Sequence, residues 1–292
     1  MISDAVSPDL DRPGAAPGPP ALTVVERRSD WKPVDFRELW RYRELLFFLT
    51  WRDVKVRYKQ TVLGVVWAVL QPLATMVVFS LFFGRMAAAP KTHVPYPLFV
   101  FAGLLPWTFF ANAIGAAGQS VVGNQNLVTK VFFPRLIIPA GAVGAGLVDL
   151  AISSVLLLLM MLYYGVAPGW GLVMVLPLTL GLVTAALGVG TLLSALTVNY
   201  RDFRHAVPFL VQLWMFATPT IYLQAGDMVG PRLRPLLPLN PAYGLISAFR
   251  WAALGGPFDA YSLAVSASAS VALLLAGCLY FRRVEGGFAD VI

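Results

Sequence analysis

From residue 136 to residue 200 the chain carries one formal charge, Asp149. A soluble helix keeps a polar face toward water, and a stretch this empty of charge has none to show. Hydrocarbon is crossed by about 20 predominantly apolar residues, so the run is too long for one crossing. Gly165-Val166-Ala167-Pro168-Gly169 divides it into spans near 136–163 and 171–198. The same criterion finds a first span near 62–83, inside the uncharged stretch Gln60–Gly84, and a second near 97–119. A fifth falls near 206–226, and a sixth near 260–281, stopped by Arg282-Arg283. Backbone groups in lipid must be satisfied within the segment. The fold class is therefore an all-α integral membrane protein with six transmembrane helices, over a domain running from 36 to 292. The chain is 13% charged, against about 25% in ordinary soluble domains.

Six spans leave both termini on one side, and the basic residues choose which. With the N-terminus inside, 17 of the 22 Lys and Arg fall on inner segments and 5 on outer loops. Inner loops are the ones enriched in Lys and Arg, so both termini are expected in the cytoplasm. The formal net charge of +7 lies beside the spans instead of forming a basic domain, which argues against nucleic acid as a partner. Residues 1–35 hold Pro8, Pro13, Pro17, Pro19 and Pro20. They read as a disordered cytoplasmic tail, not a signal peptide, because no apolar core or small-residue cleavage site follows. The single cysteine, Cys278, lies in an apolar run and cannot form an intrachain disulfide.

Three segments outside the spans carry pattern. Residues 35–60 read as an amphipathic interface helix lying on the cytoplasmic surface. Arg41, Arg52, Lys55 and Lys59 share one arc, with Leu39, Tyr42, Leu46, Phe47, Leu49 and Val54 on the other side. Trp40 and Trp51 suit the headgroup level. Residues 119–140, QSVVGNQNLVTKVFFPRLIIPA, form a polar island between spans. Gly123-Asn124-Gln125-Asn126 offers capping chemistry, so a short cytoplasmic helix presenting Asn, Lys130 and the Phe132 and Phe133 rings is expected; the alternative is a plain turn. Between spans 5 and 6, Asn240-Pro241 is a helix start and Gly255-Gly256 a stop. The apolar segment between them is too short to span and fits a short re-entrant outer helix, or else an external cap on the bundle.

Enzymatic signals are absent from the sequence. It contains no G-x-x-x-x-G-K-[ST] phosphate loop, and its two histidines, His93 and His205, are expected on opposite sides of the membrane. No metal arrangement is expected, because metals need clustered ligands. Asp149 is the one acid deep in a span, a position that by default invites a functional reading. A lone carboxylate is better suited to a structural hydrogen bond, with Ser153, Ser154, Gln71 or a Thr of another helix, than to a proton relay.

Arg57 to Leu73, RYKQTVLGVVWAVLQPL, resembles the membrane subunits of ABC-2 type exporters for polysaccharides and O-antigen. So do Phe132-Phe133-Pro134-Arg135 within the polar island and the stretch Asn199 to Arg204, NYRDFR. The likeness covers about residues 36–285. It implies a channel-forming homodimer partnered by two nucleotide-binding ATPase subunits, which bind ATP and Mg while this chain holds no cofactor. It implies export of an undecaprenyl-linked glycan across the bacterial inner (cytoplasmic) membrane, amid membrane lipids. By the same resemblance, Arg52, Lys55, Arg57, Tyr58, Asn124, Gln125, Asn126, Lys130, Phe132, Phe133, Pro134 and Arg135 dock the ATPase.

Sugar rings stack on aromatic faces, which makes Trp67, Trp107, Phe110, Trp214, Phe216 and Tyr222 candidates for the conduit and Tyr243, Phe249 and Trp251 candidates for its outer gate. Packing and interfacial belts use the same residue types. An ABC-2 type drug or lipid exporter with this fold, and an integral membrane transferase, are the alternatives. A transferase should show a cluster of His, Asp or Arg at one membrane face, which this chain lacks.

Overall fold

A computed structural model describes residues 36–59, 64–83, 94–218, 232 and 234–288, and among these the regular elements are all helical. Two helices open the chain, α1 (Phe36–Arg41) and α2 (Arg43–Lys59), followed by α3 (Gly64–Phe83) and α4 (Tyr96–Gly123). The short α5 (Gln125–Lys130) precedes α6 (Ile137–Tyr163). A 3-10 turn at Trp170–Met174 leads into α7 (Val175–Asn199), and α8 is Phe203–Phe216. A second 3-10 turn, Arg234–Leu239, precedes α9 (Pro241–Leu254), and α10 (Ala260–Val284) ends in a third, Glu285–Gly287.

Four of these segments are long and apolar enough to cross a membrane: Tyr96–Gly123, Ile137–Tyr163, Trp170–Asn199 and Ala260–Gly287. They match the second, third, fourth and sixth expected spans to within a few residues, and Gly165 turns the break between two of them at φ 69°. The apolar part of α3 is the shorter Val66–Phe82. The second half of the expected span 206–226, with Tyr222, lies outside the described residues, as does the 1–35 tail.

α4 is the hub, packed by α3, α6, α7, α8 and α9. Its Phe101, Leu104, Phe110 and Ile114 are fully enclosed. Water offers no drive for helices to associate inside lipid, so close approach through small residues does that work. The pairing of α7 with α10 shows it: a Cβ on Gly188 would sit 2.6 Å from the backbone nitrogen of Leu274.

A second, smaller core closes one end of the bundle, the near end. Leu49, Val121, Val128, Phe133, Leu136, Ile137, Val198, Phe281 and Phe288 meet there. It gathers part of α2, the end of α4, α5, the start of α6 and the ends of α7 and α10. Those helices accordingly run alternately toward and away from this end, except that α7 and α10 are parallel.

α9 occupies the opposite end, and its boundaries are those the sequence signals. Asn240 caps it, accepting from the Ala242 N–H at 3.1 Å, and Gly255 ends it at φ 77°. The same Asn240 side chain accepts from Trp214 Nε1 at 2.9 Å and donates to Ala217 O and Thr218 Oγ1 at 3.2 and 3.0 Å. Both lone-pair directions and both N–H donors of one amide are thus used. Buried Ser266 of α10 accepts from the Gly244 N–H at 2.9 Å and lies 2.8 Å from Pro238 O. The Arg250 guanidinium stacks 3.9 Å from the centre of the Phe99 ring, holding α9 to α4.

Candidate functional site

Two surfaces carry the polar chemistry of the described residues: a side groove, and the near end. The groove follows from the course of α2. A helix lying flat on the bundle's end would meet α6 at one point, but α2 runs along it. Leu49 and Thr50 pack over Gly141 and Gly144, where the missing side chains let the backbones close up. About two turns later Arg57 and Tyr58 reach Asp149. The Arg57 guanidinium donates to Asp149 Oδ2 and the Tyr58 hydroxyl donates to Oδ1. Two of the expected partners of Asp149 are engaged elsewhere: Ser153 Oγ donates to Ala68 O at 3.3 Å, and Ser154 Oγ to Leu150 O at 2.7 Å. In an α-helix a hydroxyl can reach a carbonyl of its own preceding turn, as Ser154 does, and so need not seek a carboxylate.

The separation of faces on α2 also departs from the helical-wheel reading. Leu49 and Val54 are buried, but Phe47 is 62% exposed and stacks on Trp51, with centroids 6.5 Å apart. Residues four apart share a face, and Lys55, four beyond Trp51, lies 5.6 Å from its ring. α2 therefore has apolar groups on both its packed and its open side. Arg52 is bound to its neighbour Asp53 at 2.8 Å.

The Arg57–Tyr58–Asp149 cluster sits at the edge of a groove of about 950 Å³ between α3, α4, α6 and α8. Trp67 and Gln71 of α3, Asn112 of α4, and Pro208 and Val211 of α8 complete its polar and apolar walls. Asn112 and Gln71 are exposed amides on helices that are largely apolar. Apolar surface flanks the groove: Val66, Leu70 and Val77 on α3, and Phe209, Leu210 and Leu213 on α8.

Of the aromatic candidates among the described residues, Trp67 alone lines this groove. Trp107 is 4% exposed and Phe110 fully buried, with rings 5.8 Å apart, and Phe110 meets half-buried Trp214 edge-on at 5.3 Å. They pack the interior of α4's surroundings. Phe216 is exposed on α8, Phe249 is buried, and Tyr243 and Trp251 are half-buried, Trp251 against Phe258 at 4.5 Å.

At the near end the polar island is a short helix, α5, and then an extended strip through Pro134. Asn124 does not cap α5 with its side chain. Its Nδ2 donates instead to Ser120 O at 2.8 Å, because the last carbonyls of α4 are the nearer unsatisfied groups. Gln125, Asn126 and Lys130 are exposed and Pro134 is half-buried. The two Phe rings, both expected to be presented, part company: Phe132 is 84% exposed and Phe133 only 7%. In an extended strip successive side chains point to opposite sides, so one ring enters the core and the other leaves it. Arg135 donates to the Glu285 carbonyl and ties the strip to the end of α10.

Asn112 is a groove residue that the sequence reading did not single out, and its signal was an amide standing within the apolar run of α4. Among the described residues no cluster of three metal-ligating side chains occurs.

The family described as "ABC-2 type transporter" matches residues 44–254. The chain is similar to the O-antigen export system permease protein RfbA of Myxococcus xanthus, 33% identical over 258 residues, covering 88% of this chain and 98% of that one. It is 26% identical to a protein of the same name from Klebsiella pneumoniae over 251 residues, 85% and 95% of the two chains. The polysialic acid transport protein KpsM of Escherichia coli is 22% identical over 165 residues, 55% of this chain and 63% of KpsM.

Proposed function

The chain belongs to the ABC-2 type transporter family, and from that premise we propose that it is the channel-forming membrane subunit of an ATP-driven polysaccharide exporter. Its cargo is an O-antigen-like glycan on an undecaprenyl carrier, moved across the bacterial inner membrane. The observation that carries the reading is the groove. Arg57, Tyr58, Gln71, Asn112 and Asp149 put charge and amide groups on the flank of an otherwise apolar bundle. Polar groups at such depth face a wet path or another subunit, not lipid.

A glycan path fits this surface, and two copies facing one another across α3 and α8 would enclose it. In this reading six spans cross the membrane, namely the four long helices, α3 and the expected span near 206–226, with both termini and the 1–35 tail in the cytoplasm. The domain then runs from 36 to 292. Trp67 offers the groove a ring for a sugar face. Tyr243 and Trp251 of α9 suit an outer gate that shifts as a rigid body.

Two ATPase subunits, holding ATP and Mg, dock at the near end. Gln125, Asn126, Lys130 and Phe132 offer them exposed side chains there. Phe132 is the anchor expected of such a contact, a large ring presented to solvent beside polar residues.

The test is co-purification of the nucleotide-binding subunit with the tagged chain, alongside ATP-dependent glycan export. Phe132→Ala should lose both while leaving the chain folded. Phe133→Ala opens the second core and should destabilise the chain by about 3–5 kcal/mol. ATPase retention and export unchanged by Phe132→Ala would refute the docking assignment. Export persisting with no ATPase partner present would refute the reading altogether.

A further inference from the structure

The stretch Asn199 to Arg204 has no part in the groove or in the strip around Phe132. At Tyr200 the backbone leaves α7 in an extended conformation, φ −132° and ψ 103°, and α8 begins three residues later. This corner bounds a cavity of about 420 Å³ lined by Gln125, Thr197, Arg201, Arg204 and His205, with Val122 and Val198 at its floor. Its volume lies in the range of small-ligand sites, about 300–1,000 Å³. Asp202, between the two arginines in sequence, is exposed and is not among the lining residues.

Three other arginines have taken partners: Arg52 holds Asp53, Arg57 holds Asp149, and Arg135 holds a carbonyl. Among the described residues, no ion pair or side-chain hydrogen bond engages Arg201 or Arg204. Their position also runs against local electrostatics. Arg204 and His205 lie in the first turn of α8, where the positive end of the helix dipole disfavours cations. Two guanidiniums lining one cavity are stabilised when an anion sits between them, and the planar fork of arginine matches phosphate oxygens.

The surroundings say what the anion is attached to. Beyond the cavity α8 becomes apolar and exposed through Phe209, Leu210 and Leu213. In the same turn between α7 and α8, Tyr200 and Phe203 pair with centroids 6.3 Å apart, as aromatic residues do at headgroup level. We propose that this cavity binds the phosphate head of a lipid, with Arg201 and Arg204 on the phosphate oxygens and the acyl or prenyl chain laid along α8. The chemistry is shared by an anionic membrane phospholipid and a polyprenyl diphosphate. It does not depend on which glycan the chain moves.

The experiment titrates the detergent-solubilised full chain with phosphatidylglycerol, phosphatidylcholine, undecaprenyl diphosphate and inorganic phosphate, reading bound lipid by native mass spectrometry. Phosphatidylglycerol should bind in preference to phosphatidylcholine. Each basic residue near an anionic lipid surface is worth about a factor of five, so Arg201→Gln with Arg204→Gln should weaken binding about 25-fold. Arg201→Lys with Arg204→Lys should retain most of it. Should the double Gln variant fail to fold, each single Gln variant should lose about fivefold. Undecaprenyl diphosphate outcompeting phosphatidylglycerol assigns the site to the carrier lipid, and the reverse order assigns it to the bilayer. Equal binding of the two phospholipids, or unchanged binding in the Gln variants, overturns the proposal. So does inorganic phosphate that displaces the lipids at millimolar concentration. Loss of the ATPase subunit from the double Gln variant with lipid binding intact also overturns it, in favour of an acidic protein surface.

Discussion

Asp149→Asn is the substitution that most directly tests how the groove is held. The carboxylate accepts two hydrogen bonds, one from Arg57 and one from Tyr58. An amide oxygen can still accept from either donor, so the Asn variant loses charge assistance and keeps one acceptor in place. Hydrogen bonds to charged groups contribute roughly 1.5–3 kcal/mol and neutral ones about 1. The Arg57 side chain is 36% exposed and that of Asp149 17%, and exposure screens such a pair toward the low end. Asp149→Asn should therefore destabilise by about 1 kcal/mol. Asp149→Ala withdraws the acceptor from both donors and should destabilise by about 2–3 kcal/mol.

The assay is equilibrium unfolding of the purified chain in mixed micelles, with a double-mutant cycle against Arg57→Ala. A coupling energy of about 1–2 kcal/mol is expected. Transport in the Asn variant should follow its stability and remain near normal. An Asn variant as unstable as the Ala variant, or a coupling energy near zero, would refute the structural account. Abolished transport in a normally stable Asn variant would show that the charge itself acts in translocation.

Asn240 and Asp259 supply the remaining tests. Asn240→Ala removes a helix cap and three further hydrogen bonds and should lose about 3 kcal/mol, whereas Asn240→Asp keeps both acceptor contacts and should lose about 1. Equal losses would mean that the acceptor contacts with the Ala242 N–H and Trp214 are immaterial. Asp259 caps α10, its carboxylate held below the usual range by the Ser262 hydroxyl and N–H. A depressed carboxyl stabilises above its unfolded pKa and ceases to as pH falls through the folded one. Asp259→Ala should thus be about 1 kcal/mol less stable at neutral pH, and the difference should vanish in acid. A gap that persists at pH 2 would point to packing instead.

The long helices were legible because lipid imposes a length and forbids charge, and both are one-dimensional properties. Gly165 and Gly255 were legible for the same reason, as each sits where a turn requires positive φ. The course of α2 was not. A helical wheel assumes one packed face and one wet face, but this helix packs Leu49 on α6 and turns Phe47 and Trp51 outward as well. When both faces are apolar, periodicity no longer says which one meets the bundle.

The site was harder for a related reason. A lone carboxylate in a span signals that a partner exists without saying from which element it comes. Local hydroxyls such as Ser153 and Ser154 look adequate in sequence, yet each is already served by a carbonyl. The partner came instead from residues grouped with a docking surface, Arg57 and Tyr58. That exchange joins two ideas that the sequence kept apart. The end of the helix assigned to the ATPase side is also the wall of the groove assigned to the glycan. A displacement of α2 along α6 would therefore be felt at Asp149 directly, over Gly141 and Gly144, where no side chain keeps the helices apart. Coupling between hydrolysis and the conduit then needs no relay through the core of the bundle, only the sliding of one helix whose two ends serve the two tasks.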